Sequence, residues 1–383
     1  MTALLDTDAR PAAAVETPVP LVGAVIPARN RFPKTARFLE GLTQQTYPGL
    51  RIYVVDSHSS DQTSDYIGGS FDNVVLLQAG DDDFWSGATN VGVEQALKDG
   101  CDYILTINDD SVIGFEFVEQ VVEIAQRRNL MILASRVDHL QDMGQVWSTG
   151  AYNNWGSHQL FYLRNYMAWE DDVPELQTGP EIIEVEQTPG NGVLIHRSVF
   201  ETIGLYDAKW CPHQHGDSEF ILRARKHGYR CFVSLRTLVY NDVDNWTGQI
   251  DVLNPPDFFT RLPKPVRRLM SPFEKLHRLF WHKRSDRRIP TIGYIVLNYA
   301  PKGVRLKTLV LYYLSCLWMF YGQRVLPARV TRAAPRLSRI RRLRLPSAQS
   351  WVYLASIGRF LWAQQRSRIQ SRRTARLFAK TRM

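Results

Sequence analysis

From Leu21 the chain alternates short apolar runs with stretches of helical periodicity. LVGAVIPA (21–28), RIYVVDS (51–57), NVVLLQ (73–78) and YILTIN (103–108) have few polar breaks, the pattern of strands buried on both faces. PKTARFLEGLTQQ (33–45) and ATNVGVEQALKDG (88–100) read as helices, and Gly100 ends the second. This alternation predicts a mostly parallel sheet covered by helices on both faces, an α/β fold. Past Leu130 the pattern is mixed. LMILASRV (130–137) and EIIEVEQ (181–187) read as strands, and PGNGVLIHR (189–197) as a glycine-flanked turn running into another. SVFETIG (198–204) is a short helix, and GDSEFILRARKHGY (216–229) is a helix closed by Gly228. Pro255, Pro256, Pro263, Pro265 and Pro272 mark a linker.

Ligands of such sheets sit beyond the carboxyl ends of the strands. The polar residues after each strand are therefore the candidates. They are Arg29 and Asn30, then Asp56 to Asp61, then Asp81, Asp82 and Asp83, then Asn108, Asp109 and Asp110. Any one can be a turn or a cap, Asp61 above all. Four in succession on one rim ask for more than capping. Adjacent carboxylates after a buried strand are costly unless a cation or donors neutralise them. Oxygen ligands of this kind suit Mg²⁺ or Mn²⁺ held jointly with phosphates. The alternative at 108–110 is an Asx-turn opening a helix near Phe115.

Charge divides the chain in two. Its 383 residues hold 47 Lys+Arg and 38 Asp+Glu, a net charge of +9. No acid follows Asp286: residues 287–383 carry 21 basic residues, leaving residues 1–286 at −12. Ordinary hydrophobic (44%) and charged (22%) fractions exclude wholesale disorder, a collagen-like fibre and a small disulfide scaffold. Cys101, Cys211, Cys231 and Cys316 form no C-x-x-C pair and read as reduced thiols. Residues 1–20 lack a basic segment before an apolar run and read as a flexible leader.

Taken in order, these segments resemble the family 2 glycosyltransferases, with the GT-A fold of nucleotide-sugar-dependent enzymes. VGAVIPARNR looks like the opening strand, with Pro27, Ala28, Arg29 and Asn30 at the donor. VVDSHSSDQT looks like the second strand and its Asp-Ser turn, placing Asp56 on the base. DDDFWSGATNVGVEQAL resembles the aromatic-small-Gly…Asn-x-Gly segment, through Asp83, Trp85, Gly87, Asn90 and Gly92, in a variant common among rhamnosyltransferase-like members. ILTINDDSVI resembles the metal-binding D-x-D loop. PGNGVLIHRSVFETIGLYD looks like the acceptor-side turn, with Gly190, Asn191 and Gly192. HGDSEFILRARKHGY resembles the helix carrying the catalytic base.

The resemblance implies inverting transfer from a dTDP- or UDP-sugar to a hydroxyl of a surface glycan or a polyprenyl-linked acceptor. Asp217 would be the base. Asp110, helped by Asp109 or Asn108, would hold Mg²⁺ or Mn²⁺. Trp210 and His215 would stand on the acceptor side. There are three departures. Asn108 replaces the first acid of the D-x-D, Gly216 replaces the Glu of a frequent Glu-Asp pair, and Asn241 and Asp242 stand where a late His is common. Asp217 also has a reading as a helix N-cap; His213 and His215 read as ligand or acceptor contacts or as loop histidines, and Trp147, Trp155, Trp169 and Trp210 as sugar-stacking candidates or as core. A non-catalytic scaffold retaining the fold is the second functional reading.

The implied domain runs from 21 to 255, followed at 256–383 by a linker and a basic helical extension. Within the extension, Thr308–Gly322 is apolar but shorter than the roughly 20 residues of a membrane span, and reads as a buried or interfacial helix. Arg359, Arg366, Arg373 and Lys380 recur every seven residues, with Trp351, Leu354, Leu361, Ile369 and Leu377 available for an opposite face. A basic amphipathic helix of this kind suits an anionic membrane surface, hence a peripheral site at the cytoplasmic face of the cell membrane. Nucleic acid ranks well below, since the acidic body repels it and no recognition motif is present. A homo-oligomer is left open.

Overall fold

The computed structural model describes residues 19–242 and 261–325. In chain order the elements are β1 (Val22–Ala28), α1 (Phe32–Leu42), β2 (Leu50–Asp56), α2 (Thr63–Ser70), β3 (Val74–Gln78), α3 (Phe84–Lys98), β4 (Tyr103–Thr106), β5 (Ser111–Ile113) and α4 (Phe117–Arg127). Then come β6 (Ile132–His139), β7 (Val146–Ser148), β8 (Ala151–Asn153), β9 (Phe161–Leu163), α5 (Pro174–Gln177), β10 (Ile182–Val185), β11 (Val193–His196), α6 (Arg197–Ile203), α7 (Gly216–Lys226) and β12 (Cys231–Asn241). Three helices follow: α8 (Lys264–Trp281), α9 (Ile289–Tyr299) and α10 (Arg305–Val325).

One sheet runs in the order β10-β12-β6-β11-β4-β1-β2-β3, with β5 on β12 and β7 on β6. The four strands expected from Leu21 to Asn108 pair in parallel around β1. β11 enters antiparallel between β4 and β6. Side chains alternate across the sheet as the period of a strand requires. Val22, Ala24 and Ile26 of β1 join Phe38, Leu39, Leu42, Val118 and Val121 of α1 and α4 on one face. Val25 and Tyr53 join Val93 and Ala96 of α3 and Phe220 of α7 on the other. Close packing of α3 depends on a glycine: a Cβ on Gly92 would lie 2.5 Å from Val25 Cγ1. This is the mixed α/β architecture expected from the pattern.

Several expectations need correction. The third helix begins at Phe84, not Ala88, so Trp85 lies in its first turn. β12 goes unseen in the pattern, because Ser234, Arg236 and Thr237 interrupt its apolar run and its pairing with β6 shifts register between Ser234 and Leu238. The proline-marked linker is in part helical. Pro265 sits in the first turn of α8, where its missing N–H costs nothing, and Pro272 lies inside that helix. Pro255, Pro256 and the basic repeat from Arg359 to Lys380 lie outside the described residues. Among the described residues, no helix is long and apolar enough to cross a membrane. α10 packs one face inward through Tyr312, Tyr313 and Cys316. All four cysteines are free and buried.

Candidate active site

The ends of β1, β2, β3 and β4 form one rim, and side chains tie its loops together. Asn30, at a left-handed φ of 51°, accepts from the Ser60 N–H at 2.7 Å and gives its own N–H to Ser59 Oγ at 2.9 Å. Arg29 reaches the Asp81 carbonyl at 2.9 Å and its carboxylate at 3.2 Å. Pro27 and Ala28 are strand residues paired with Val55 and Asp56. Asp56 is buried, and its carboxylate accepts from the N–H and hydroxyl of Ser59 and the hydroxyl of Ser64. Asp61 caps two helices at once, accepting from Thr63 N at 3.1 Å and Phe32 N at 3.0 Å.

The 108–110 loop carries a cation that the pattern did not reveal. Arg31 pairs with Asp109 and, at 2.8 Å, with Asp110 Oδ2. Asp109 has no exposed surface and also accepts from Thr35 Oγ1 at 2.9 Å. Burial pushes its carboxyl up to about 6, against the pull of Arg31 and reinforced by Asp110. Asp109 is therefore fastened into the frame, and Asp110 is the better placed of the two to meet a ligand. Its Oδ2 is held by Arg31, while its buried Oδ1 has no hydrogen-bond partner.

That orphaned oxygen fits a divalent cation, which commonly takes one or two carboxylates and completes its shell with phosphates and water. Among the described residues no three His, Cys, Asp or Glu side chains converge as a cage. Asn241, at the position of the late His, pairs with Ser111 across β12 and β5, and its Oδ1 is also buried without a partner.

The segments expected to hold donor, acceptor and base meet beside this loop. Trp85 Nε1 donates to Asn108 Oδ1 at 3.2 Å. Gly190 N–H donates to Asp217 Oδ2 at 2.8 Å, and a Cβ on Gly190 would come within 3.0 Å of the Trp85 ring. Asp217 Oδ1 accepts the Ser218 N–H at 2.7 Å. Asp217 lies in the first turn of α7, one residue past the helix start, and the cap position belongs to His215. Two backbone donors thus fix the orientation of this carboxylate, and the N-terminal dipole of α7 favours its charge.

Other expected site residues have partners within the protein. Asn90 grips the Tyr206 backbone from both sides, at 2.8 and 2.9 Å. Asp83 accepts the Gly80 N–H, and Gly87 packs on it so closely that a Cβ would lie 2.7 Å from Asp83 Cβ. Asn191 is spent on the D-x-D loop, accepting from Asn108 N and Ser111 Oγ at 3.0 Å each. Gly192 has φ +77° and no room for a Cβ beside Val239. Trp210 is stacked on Tyr294 at 5.4 Å. His215 donates from Nε2 to the Asp286 carbonyl at 2.9 Å. His213 is pushed down to about 4 by burial and by Arg284, Arg31 and His282, and is therefore neutral at pH 7. Trp147 stacks edge-on with His139 and Tyr166, and Trp155 packs with Phe161. Trp169 is partly exposed at the end of an isolated bridge to Gln145.

Gly216 has a local cause. A Cβ there would stand 2.2 Å from Ser86 Oγ, which is itself bonded to the Cys211 carbonyl at 2.6 Å. Gly216→Glu is expected to destabilise the fold by about 1–3 kcal/mol through overpacking. Ser86→Ala in the same chain should recover part of that loss, and thermal melts of the two single variants and the double variant measure the coupling.

Residues 24–178 match the family model described as Glycosyl transferase family 2. The matched family is one of glycosyl transferases, and the sheet is the mixed, mostly parallel arrangement described above. No curated protein matches the chain. Among solved structures, the crystal structure of S. aureus TarS 1-349 is 15% identical with a TM-score of 0.44, covering 79% of this chain and 92% of that one. A second S. aureus TarS structure is also 15% identical with a TM-score of 0.44, covering 76% of this chain and 54% of that one.

Proposed function

We propose that the chain is an inverting transferase that moves a sugar from a dTDP- or UDP-linked donor to a hydroxyl of a growing surface glycan or a polyprenyl-linked acceptor. The observation that carries this reading is the meeting of Trp85, Asn108, Gly190 and Asp217 within direct contact at the rim of the sheet. Asp217, oriented by the Gly190 and Ser218 N–H groups, takes the proton of the acceptor hydroxyl as that oxygen attacks the anomeric carbon. Arg29 and Asn30 shape the nucleoside end. Asp56 stands where the base is read, its carboxylate presently satisfied by Ser59 and Ser64. Asp110, with the Asn108 amide oxygen, would hold Mg²⁺ or Mn²⁺. Such an ion supplies positive charge for the departing nucleoside diphosphate.

The test incubates purified protein with a panel of nucleotide sugars and Mn²⁺ or Mg²⁺ and measures nucleoside diphosphate release. Release from at least one donor, lost on adding EDTA and restored by excess metal, is the expected outcome. No release from any donor would favour the non-catalytic scaffold. The basic segment 287–383 supports a peripheral position at the cytoplasmic membrane face, since each Lys or Arg near an anionic leaflet contributes about 1 kcal/mol. Full-length protein is expected to sediment with anionic vesicles, and a chain ending at residue 286 is not.

A further inference from the structure

The apolar run from Thr308 onward reads in sequence as a buried or interfacial helix, and the structure gives that helix two unlike faces. One face of α10 is committed to the body. Thr308 is fully buried and accepts the Gly156 N–H at 2.7 Å, Tyr312 donates to the Asp286 carbonyl at 3.2 Å, and Cys316 is buried with Leu279 and Phe280 of α8. α9 carries the same docking toward Asp217. Tyr299 donates to Glu219 of α7 at 2.5 Å, and Thr291 Oγ1 donates to the Trp210 carbonyl at 2.5 Å.

The other face is apolar and open. Leu306, Val310, Leu314 and Trp318 follow one another at four-residue steps, exposed at 74%, 47%, 57% and 73%. At 3.6 residues per turn they share an arc of about 120° over about 18 Å of helix. A stripe of that width normally faces a core, but the core side of α10 is already taken. α8 meets α10 where Phe280 packs edge-on against Tyr313 at 5.7 Å, and it exposes Met270, Phe273 and Trp281 as well. Single exposed apolar residues are ordinary, whereas a continuous row of large ones marks an interaction surface. Charge selects what covers it. Lys302 and Lys307 are exposed close to the first residue of α10, and residues 287–383 hold 21 basic residues and no acid. A second copy of this face, or the chain's own segment beyond residue 325, would set like charge against like. An anionic lipid leaflet offers the opposite charge together with an apolar layer beneath it.

We propose that α10 is an in-plane membrane anchor, whose outer face of Leu306, Val310, Leu314 and Trp318 enters the interfacial layer of an anionic bilayer. With its inner face held by the body, α10 lies along the surface and offers the lipid this row alone. Trp318 suits the boundary, since its ring is apolar and its N–H is polar. The inference rests on the membrane reading of the basic segment above and adds an apolar component to it. Charge draws the chain to the leaflet, and the row of side chains enters it. Because α10 is joined through α9 to α7, the helix carrying Asp217 is held at a set orientation to the lipid.

Co-sedimentation of the full chain with vesicles of phosphatidylcholine and phosphatidylglycerol tests the anchor, at low salt and at about 0.5 M salt, where exposed charges are screened. Wild type is expected to keep part of its binding in high salt. Leu314→Gln/Trp318→Gln should bind at least about tenfold more weakly and melt near wild type, since both positions are exposed. Leu314→Cys gives an independent readout. The four native cysteines are buried, so a maleimide should label this thiol selectively, rapidly in solution and at least about tenfold more slowly once vesicles are added. Equal vesicle binding by wild type and the double variant overturns the anchor and leaves the basic segment as the membrane contact. No binding by wild type overturns the anchor and the membrane reading together. Slow labelling without vesicles also overturns the anchor: protection that rises with protein concentration assigns the face to a second copy, and protection independent of concentration assigns it to the segment beyond residue 325.

Discussion

Asp217→Asn is expected to lower the rate of sugar transfer by about 10²–10⁴-fold, the usual contribution of a positioned general base. Donor KM should stay within about threefold, because the lost interaction belongs to the transition state and not to donor binding. Asn keeps the size of the side chain but retains only one carbonyl oxygen. It can satisfy the Gly190 N–H or the Ser218 N–H, and its amide nitrogen is set against the other. Some loosening of the Gly190 turn is therefore expected as well, and a thermal melt separates this from chemistry. A variant that melts near wild type and transfers at more than a tenth of its rate would remove Asp217 from the role of base. Asp110→Asn is the natural companion: it should act through the metal response, whereas Asp217→Asn should leave that response unchanged.

The early half of the fold was legible because each strand is an unbroken apolar run and each helix has its own period. β1, β2, β3 and β4 announce themselves, and the acids after them mark the rim. β12 was not legible, since its polar breaks and register shift erase both the run and the alternation. α8 was hidden by prolines that a helix tolerates in its first turn and, at Pro272, within its body.

At the site, the chain order of motifs points to a candidate base and to a loop resembling the D-x-D, but it does not say which of the candidates are tied up by other parts of the chain. Asp109, Asn90 and Asn191 look like site residues and are spent on Thr35 and Arg31, on Tyr206, and on the 108–111 loop. Arg31 is the reverse case. In sequence it is one basic residue after a strand. Its meaning comes from Asp110, 79 positions away, which the parallel pairing of β1 and β4 brings alongside. The contacts of α9 with Trp210 and α7 are equally long-range, and nothing local in the basic extension signals that it docks there.

The largest effect on stability is expected far from the chemistry, at Arg136. Its guanidinium holds Asp138 at 2.8 Å and Glu170 Oε2 at 2.7 Å, and all three side chains are buried. Arg136→Met leaves two carboxylates facing each other in a site that excludes water, a change of about 3–5 kcal/mol. The loss should depend on pH in a definite direction. Burial, with help from Glu170, already raises Asp138 to about 6 against the pull of Arg136. The folded chain therefore holds this proton more tightly than the unfolded chain does. The stability linked to it is complete below the ordinary aspartate value of about 3.9 and is lost as pH rises through about 6. Removing Arg136 takes away the lowering influence, so the folded value climbs further. Urea unfolding should then show a deficit relative to wild type that is smallest near pH 5 and widest near pH 8. An equal deficit at both values would assign the effect to lost packing instead of charge. Replacing Asp138 and Glu170 with apolar residues in the same chain should restore most of the stability at pH 8, because a buried ion cluster and a well-packed apolar one are often close in free energy.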